Sequence, residues 1–255
     1  MTRRLALMAA TVLLASCVTE QVGDARIQTP ANLGEAAQIN TQLGVDYARQ
    51  GRFDIAQEKL LKAIEQDDRY APARTAMAYV LTQIGDAEGA EREYRKALAL
   101  DPNDAGTHNN FGVFLCARGK TAEADKEFRT ALADRNYGTP AAAWTNAGVC
   151  AQKAGDTARA EENFRQALKI DPEFPDALAR IAVLTARKSD WLRTRAFLQR
   201  YERVATLTPE LLLVAARTER ALGDEAAARR HEQKLLREFP ESDQAVQLQK
   251  KPAAP

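Results

Sequence analysis

The stretch His108-Asn109-Asn110-Phe111-Gly112-Val113-Phe114-Leu115-Cys116 decides how this chain is read, because its spacing of bulky and small residues returns on both sides. Phe111-Gly112 is followed by Leu115, Gly119, Ala124, Phe128 and Ala131. Upstream, the same offsets hold Met77-Ala78, Leu81, Gly85, Ala90, Tyr94, Ala97 and Pro102, and before them Leu43-Gly44, Tyr47, Gly51, Ala56, Leu60 and Ala63. The interval is about 34 residues, the length of a two-helix hairpin. Downstream, two extra residues, Thr139 and Pro140, interrupt the count, which resumes with Trp144, Ala147-Gly148, Ala151, Gly155, Ala160, Phe164, Ala167 and Pro172. A fifth copy is worn: Ile181-Ala182 and Leu198 fit, whereas Thr194 and Tyr201 stand in place of small residues. A sixth recovers Gly223, Ala228, Leu235 and Pro240.

The pattern has a direct physical reading. Gly44, Ala56, Gly112, Ala124, Gly148 and Ala160 let two antiparallel helices approach closely, and Phe53, Leu60, Tyr94, Phe128 and Phe164 fill the space between neighbouring hairpins. Gly51, Gly85, Gly119, Gly155 and Gly223 fall at the turn, where a helix end favours positive φ. Pro102, Pro172 and Pro240 end second helices. Trp144 and Trp191 occupy bulky scaffold positions. The chain is rich in Ala, Leu, Glu, Arg and Gln and poor in β-branched runs, so helices are expected throughout.

This repeat resembles the tetratricopeptide repeat family over about residues 37 to 242. The resemblance implies an all-α, right-handed superhelical solenoid of six hairpins, spanning 37–70, 71–104, 105–140, 141–174, 175–208 and 209–242. No hairpin can bury its apolar face alone, so the hairpins stack and leave a concave surface. Residues 243–255, ending in Lys250-Lys251-Pro252-Ala253-Ala254-Pro255, read as a C-terminal tail.

The chain before the repeats reads as address and tether. Arg3 and Arg4 precede an apolar run from Leu5 to Ala15, too short to span a bilayer and fit for a secretory signal over residues 1–16. Leu14-Ala15-Ser16-Cys17 resembles a bacterial lipoprotein lipobox. The resemblance implies acylation of Cys17, with about 0.8 kcal/mol of membrane affinity for each buried methylene. In such lipoproteins Asp after the acylated Cys retains the protein at the inner membrane. Here Val18 follows, which implies the periplasmic face of the outer membrane. Residues 17–36 mix polar, Gly and Pro residues without periodicity, as a flexible tether would.

Catalytic and cofactor chemistry finds no foothold. Thirty-six Lys plus Arg against 35 Asp plus Glu give a formal net charge of +1, which offers nothing to nucleic acid. Gly119-Lys120-Thr121 looks like the end of a phosphate loop, yet Phe114 stands where the earlier glycine belongs and no strand precedes it. His108 and His231 lie in different repeats without zinc-ligand spacing. Acidic pairs such as Glu91 with Glu93 and Glu161 with Glu162 sit among Arg and Lys on second helices, as solvated faces do. We therefore expect no enzyme, no cofactor beyond the lipid on Cys17, no metal and no small-molecule substrate.

In tetratricopeptide repeats the first helices line the concave face through repeat positions 2, 5, 9, 12 and 13. By that resemblance the groove residues are Thr41, Val45, Thr75, Tyr79, Thr82, Asn109, Val113, Cys116, Thr145, Val149 and Gln152, with Asn110 and Asn146 at the edge. Such a surface suits an amphipathic or extended partner segment whose backbone the Asn amides can bond. Position 5 is never Lys, which disfavours capture of a free C-terminal carboxylate. Cys116 and Cys150 lie on adjacent first helices at positions 12 and 10. Two readings are open for them, a disulfide in an oxidising periplasm or two buried thiols acting as small hydrophobes.

A lipobox followed by six such repeats, with Asn109-to-Cys116 in the third and Trp144-Thr145-Asn146-Ala147-Gly148-Val149-Cys150 in the fourth, resembles the PilF/PilW family of type IV pilus biogenesis lipoproteins. That resemblance implies a pilotin: a non-catalytic partner of the pilus secretin that brings it to the outer membrane and promotes its multimerisation, hence twitching motility. The alternative is a general periplasmic scaffold docking cell-wall hydrolases or envelope-assembly machinery through the same groove.

Overall fold

A computed structural model describes residues 30–250. The expected signal sequence, Cys17 and the first part of the expected tether lie outside those residues. The described chain forms α1 (Pro30–Arg49), α2 (Phe53–Gln66), α3 (Ala71–Gln83), α4 (Ala87–Leu100), α5 (Ala105–Ala117), α6 (Thr121–Ala133), α7 (Pro140–Lys153), α8 (Thr157–Ile170), α9 (Pro175–Arg187), α10 (Trp191–Glu202), α11 (Pro209–Ala221), α12 (Glu225–Glu238) and α13 (Asp243–Lys250), with no strand among them. Consecutive helices pair as hairpins. The odd-numbered helices also pack on one another in a row from α1 to α13, which makes the fold an all-α solenoid.

Each hairpin is punctuated the same way. Gly51, Gly85, Gly119, Gly155 and Gly223 have φ between 74° and 87°. In four hairpins an Asp follows the turn and its carboxylate caps the second helix: Asp86 accepts from the Gly89 amide, Asp156 from Arg159, Asp190 from Arg193 and Asp224 from Ala227. Each cap satisfies an otherwise orphaned N–H and contributes about 1 kcal/mol. The fifth hairpin turns at Ser189, the one non-glycine with positive φ among the described residues, at 57°. The left-handed conformation costs a side-chain-bearing residue about 1–2 kcal/mol. Glycine removes that cost but loses more backbone freedom on folding. Ser189→Gly should therefore raise stability by about 0.5–1 kcal/mol, read as a higher urea midpoint at unchanged slope.

Close helix approach is literal at three glycines. A Cβ at Gly44 would lie 2.6 Å from Leu60, at Gly112 2.8 Å from the Phe128 ring and at Gly148 2.5 Å from the Phe164 ring. The worn fifth hairpin solves the problem differently: Thr194 is fully buried and its hydroxyl donates to the Thr185 hydroxyl at 2.9 Å and to the Asp190 carbonyl. Between the second and third hairpins, Phe111 stacks on Tyr94 and on Phe114, and Tyr94 and Phe114 meet at a tilt, with ring centroids 5.2 to 6.1 Å apart. The core runs as two contiguous apolar clusters, and both reach α7, through Ala147 and Cys150 on one side and Ala141 and Ala151 on the other. Trp144 is half-buried against the second cluster.

Two boundaries differ from expectation. The first helix begins at Pro30, seven residues inside the expected tether: proline is preorganised for the first helical turn, and Ala36 and Ala37 favour its continuation. At the other end, Asp243–Lys250 is not tail but α13, which packs on α11 and α12 with Ala245 fully buried. It continues the row of first helices and covers the last apolar face, as terminal elements of solenoids must.

Ion pairs from one second-helix position, held by Glu91, Asp125, Glu161 and Arg195, reach the following hairpin. Glu91 accepts from Lys120 at 2.9 Å, Asp125 faces Arg159 at 3.4 Å, and Arg195 pairs with Glu219. Glu161 is the most enclosed of these carboxylates. It is 8% exposed and takes ion pairs from Lys188, Arg193 and Arg165. The Lys188 ammonium, then the Arg193 guanidinium, hold its carboxyl below the usual carboxylate range against the opposing effect of burial. A lowered folded pKa makes this contribution present above the ordinary glutamate pKa of about 4.3 and lost as pH falls through the folded value. Glu161→Gln should cost about 1–2 kcal/mol at pH 7, and the difference should close as the pH falls through the lowered folded value when both proteins are melted side by side.

Candidate protein-binding groove

The exposed side of the odd-numbered helices forms the groove, and the repeat register decides which side chains reach it. Position 9 carries Val45, Tyr79, Val113 and Val149, and the fifth hairpin adds Val183. Tyr79 is 45% and Val113 43% exposed, whereas Val45, Val149 and Val183 are half-buried. Position 6 carries Gln42, Asn110 and Asn146, with Gln42 and Asn110 exposed. Between the first three hairpins the surface sinks into a hollow of about 570 Å³ lined by Gln42, Val45, Tyr79 and Asn110.

Position 5 behaves otherwise than expected. Thr41, Thr145 and Asn109 are buried, because this position leans against the first helix of the next hairpin. Thr41 and Thr145 donate to carbonyls one turn back, Ala37 and Ala141, each at 2.8 Å. Thr75 shares a hydrogen bond with the Thr107 hydroxyl across to α5 at 2.6 Å. Asn146 Nδ2 donates to Asn109 Oδ1 at 3.1 Å, and Asn109 Nδ2 donates to Asn110 Oδ1 at 3.4 Å. Asn109 is therefore a clip between α5 and α7, while Asn110, expected at the edge, is the amide that solvent reaches. At position 12, Thr82 is half-buried and bonded to the Ala78 carbonyl, and Gln152 is half-buried. Cys116 is not a groove thiol: it is buried and joined to Cys150 by a disulfide, with the Cα atoms 5.6 Å apart.

His108, the bulky residue that opens the third hairpin, is built into the scaffold. Its Nδ1 lies 2.6 Å from the Glu127 carboxylate and its Nε2 2.9 Å from the Pro102 carbonyl. No group of three or more His, Cys, Asp or Glu side chains able to hold a metal occurs among the described residues. None of the described helices is long and apolar enough to cross a membrane. The groove offers surfaces for binding: a stripe of apolar side chains flanked by amides that can both donate and accept.

Comparison with known proteins agrees with this geometry. Tetratricopeptide repeat profiles match residues 41–105, 104–173 and 151–206, which together cover more than half of the chain. The chain belongs to the tetratricopeptide repeat family. Within it, the chain is homologous to PilF of Pseudomonas aeruginosa, a type IV pilus assembly protein, with 29% identity over 230 residues and 90% of each chain. The structure of that PilF superposes with a TM-score of 0.78 at 27% identity, covering 85% of this chain and 98% of the other. The crystal structure of PilW, a widely conserved type IV pilus biogenesis factor, gives 0.76 at 30% identity, covering 84% and 98%. An uncharacterised Haemophilus influenzae protein is 32% identical over 142 residues, 56% of this chain and 76% of its own.

Proposed function

We propose that this protein acts in type IV pilus biogenesis as a pilotin. Acylated Cys17 anchors it to the periplasmic face of the outer membrane, the groove holds a segment of the pilus secretin, and the anchored complex promotes secretin localisation and multimerisation. The reading is carried by the homology to PilF over 90% of both chains. The lipobox-like Leu14-to-Cys17 stretch and the exposed Tyr79 and Val113 support the anchor and the partner surface respectively. The role needs no catalysis, since a protein-binding scaffold on a lipid anchor suffices.

Cys17→Ser in the pilus-forming host should release the protein from the membrane fraction and leave secretin monomeric or misplaced. Separately, Tyr79→Glu with Val113→Glu should keep the protein anchored and folded yet abolish secretin multimers, because two charges would enter an apolar stripe. Both are read by fractionation and immunoblotting of secretin. Normal multimers in the Cys17→Ser strain sink the pilotin reading and leave the scaffold for wall hydrolases in its place.

A further inference from the structure

The groove changes character along its length. At position 9 the series runs Val45, Tyr79, Val113, Val149, Val183 and then Arg217. At position 6 it runs Gln42, Ala76, Asn110, Asn146, Arg180 and Val214, and at position 13 Arg49, Gln83, Ala117, Lys153, Arg187 and Ala221, with Arg49 already paired to Asp46. Lys153, Arg180, Arg187 and Arg217 are all exposed, and none forms an ion pair among the described residues. Two exposed carboxylates share these hairpins, Asp176 and Glu210 at position 2, and neither pairs with the four cations. Arg217 also borders a hollow of about 860 Å³ with Trp191, Leu213, Val246 and Leu248, closed on one side by α13.

We infer that the groove is bipartite and takes an extended protein segment whose apolar part lies on the first four hairpins and whose acidic end lies on Lys153, Arg180, Arg187 and Arg217. The inference rests on the groove being the partner-binding surface of the proposed function. Extension is favoured by the amides: Gln42, Asn110 and Asn146 offer donors and acceptors to backbone N–H and C=O groups, which an extended segment leaves free and a helical one does not. Neighbouring first helices lie about 8–10 Å apart, and a chain in the extended polyproline II conformation rises about 3.1 Å per residue with three residues per turn, so every third partner residue meets the position-9 stripe. Acidity follows from four unpaired cations gathered on three adjacent hairpins of a chain whose formal net charge is only +1.

The test uses the full chain in detergent micelles and a phage-displayed library of random twelve-residue peptides. Enriched peptides should carry an apolar residue at every third position and Asp or Glu at one end. The leading peptide, synthesised with a fluorescent label, should bind Arg180→Glu/Arg187→Glu/Arg217→Glu at least tenfold more weakly. Tyr79→Ala should weaken it without changing its salt dependence. The triple variant should melt within about 2 °C of the parent, since these exposed side chains hold nothing else in place. No enrichment, a consensus without acidic residues, binding of the triple variant within twofold, or displacement of the peptide by phosphatidylglycerol vesicles would each overturn the inference. A bipartite consensus with no counterpart in the pilus secretin would instead count against the secretin as occupant and leave the groove chemistry standing.

Discussion

Phe164→Ala should lower the free energy of unfolding by about 3–5 kcal/mol, the largest effect expected of any single core truncation here. Phe164 is fully buried and its ring lies directly beneath Gly148, so truncation empties the space between α7 and α8. The converse lesion is an added atom. A Cβ at Gly148 would come within 2.5 Å of that ring, and Gly148→Ala should cost about 1–3 kcal/mol through forced displacement of one partner. Because the two lesions share one space, Gly148→Ala combined with Phe164→Leu should cost less than the sum of the single changes by about 1 kcal/mol or more. Urea denaturation of the four proteins gives this coupling, and strict additivity would show that the ring is not what occupies the space beside Gly148. In a solenoid a lesion at a central hairpin also weakens both neighbours, so the Phe164→Ala transition should broaden.

The fold was legible because a solenoid writes its packing once per repeat. Small residues facing bulky ones, glycine at the turn and proline after the second helix recur at fixed offsets, and the structure places them where those offsets require. The worn fifth hairpin was recognised by register, although sequence reasoning did not anticipate that Ser189 would adopt the positive φ of the missing glycine or that Thr194 and Thr185 would bond. The Asp that follows the turn was a signal available and unread: Asp86, Asp156, Asp190 and Asp224 announce four of the six second helices. The two ends were misjudged because no neighbouring repeat supplies periodicity there, which hid the start of α1 at Pro30 and the whole of α13.

The groove was less legible, for a geometric reason. One position along a helix turns a side chain by about 100°, so assigning position 5 to the groove and position 6 to its edge exchanges the roles of Asn109 and Asn110. Whether a polar side chain faces solvent or the neighbouring first helix depends on how closely the hairpins stack, and a single sequence does not state that. The position-9 residues were robust to the error, since Tyr79 and Val113 lie far enough from the interface between first helices to remain exposed.

Reduction of the Cys116–Cys150 disulfide should lower stability by about 2–4 kcal/mol, the second large effect. The bond closes a chain separation of 34 residues, and a loop of that length restricts the unfolded ensemble by roughly that amount. It joins the first helices of the third and fourth hairpins, where Asn146 also bonds Asn109, and it lies where the two apolar clusters meet at α7. Both cysteines belong to the N-terminal cluster, so the staple ties α7, the helix that both clusters reach, to α5. Wild-type protein should melt several degrees lower with reductant than without it, by the usual relation between free energy and melting temperature. Cys116→Ala with Cys150→Ala should melt at the lower temperature and ignore reductant. Calorimetry of that double variant should resolve two transitions, one for each half, where the oxidised protein gives a single broader unit. If reductant moves the wild-type midpoint by less than about 1 °C, the bond constrains nothing that packing does not already fix. A reductant-sensitive double variant would place the effect outside this cysteine pair altogether.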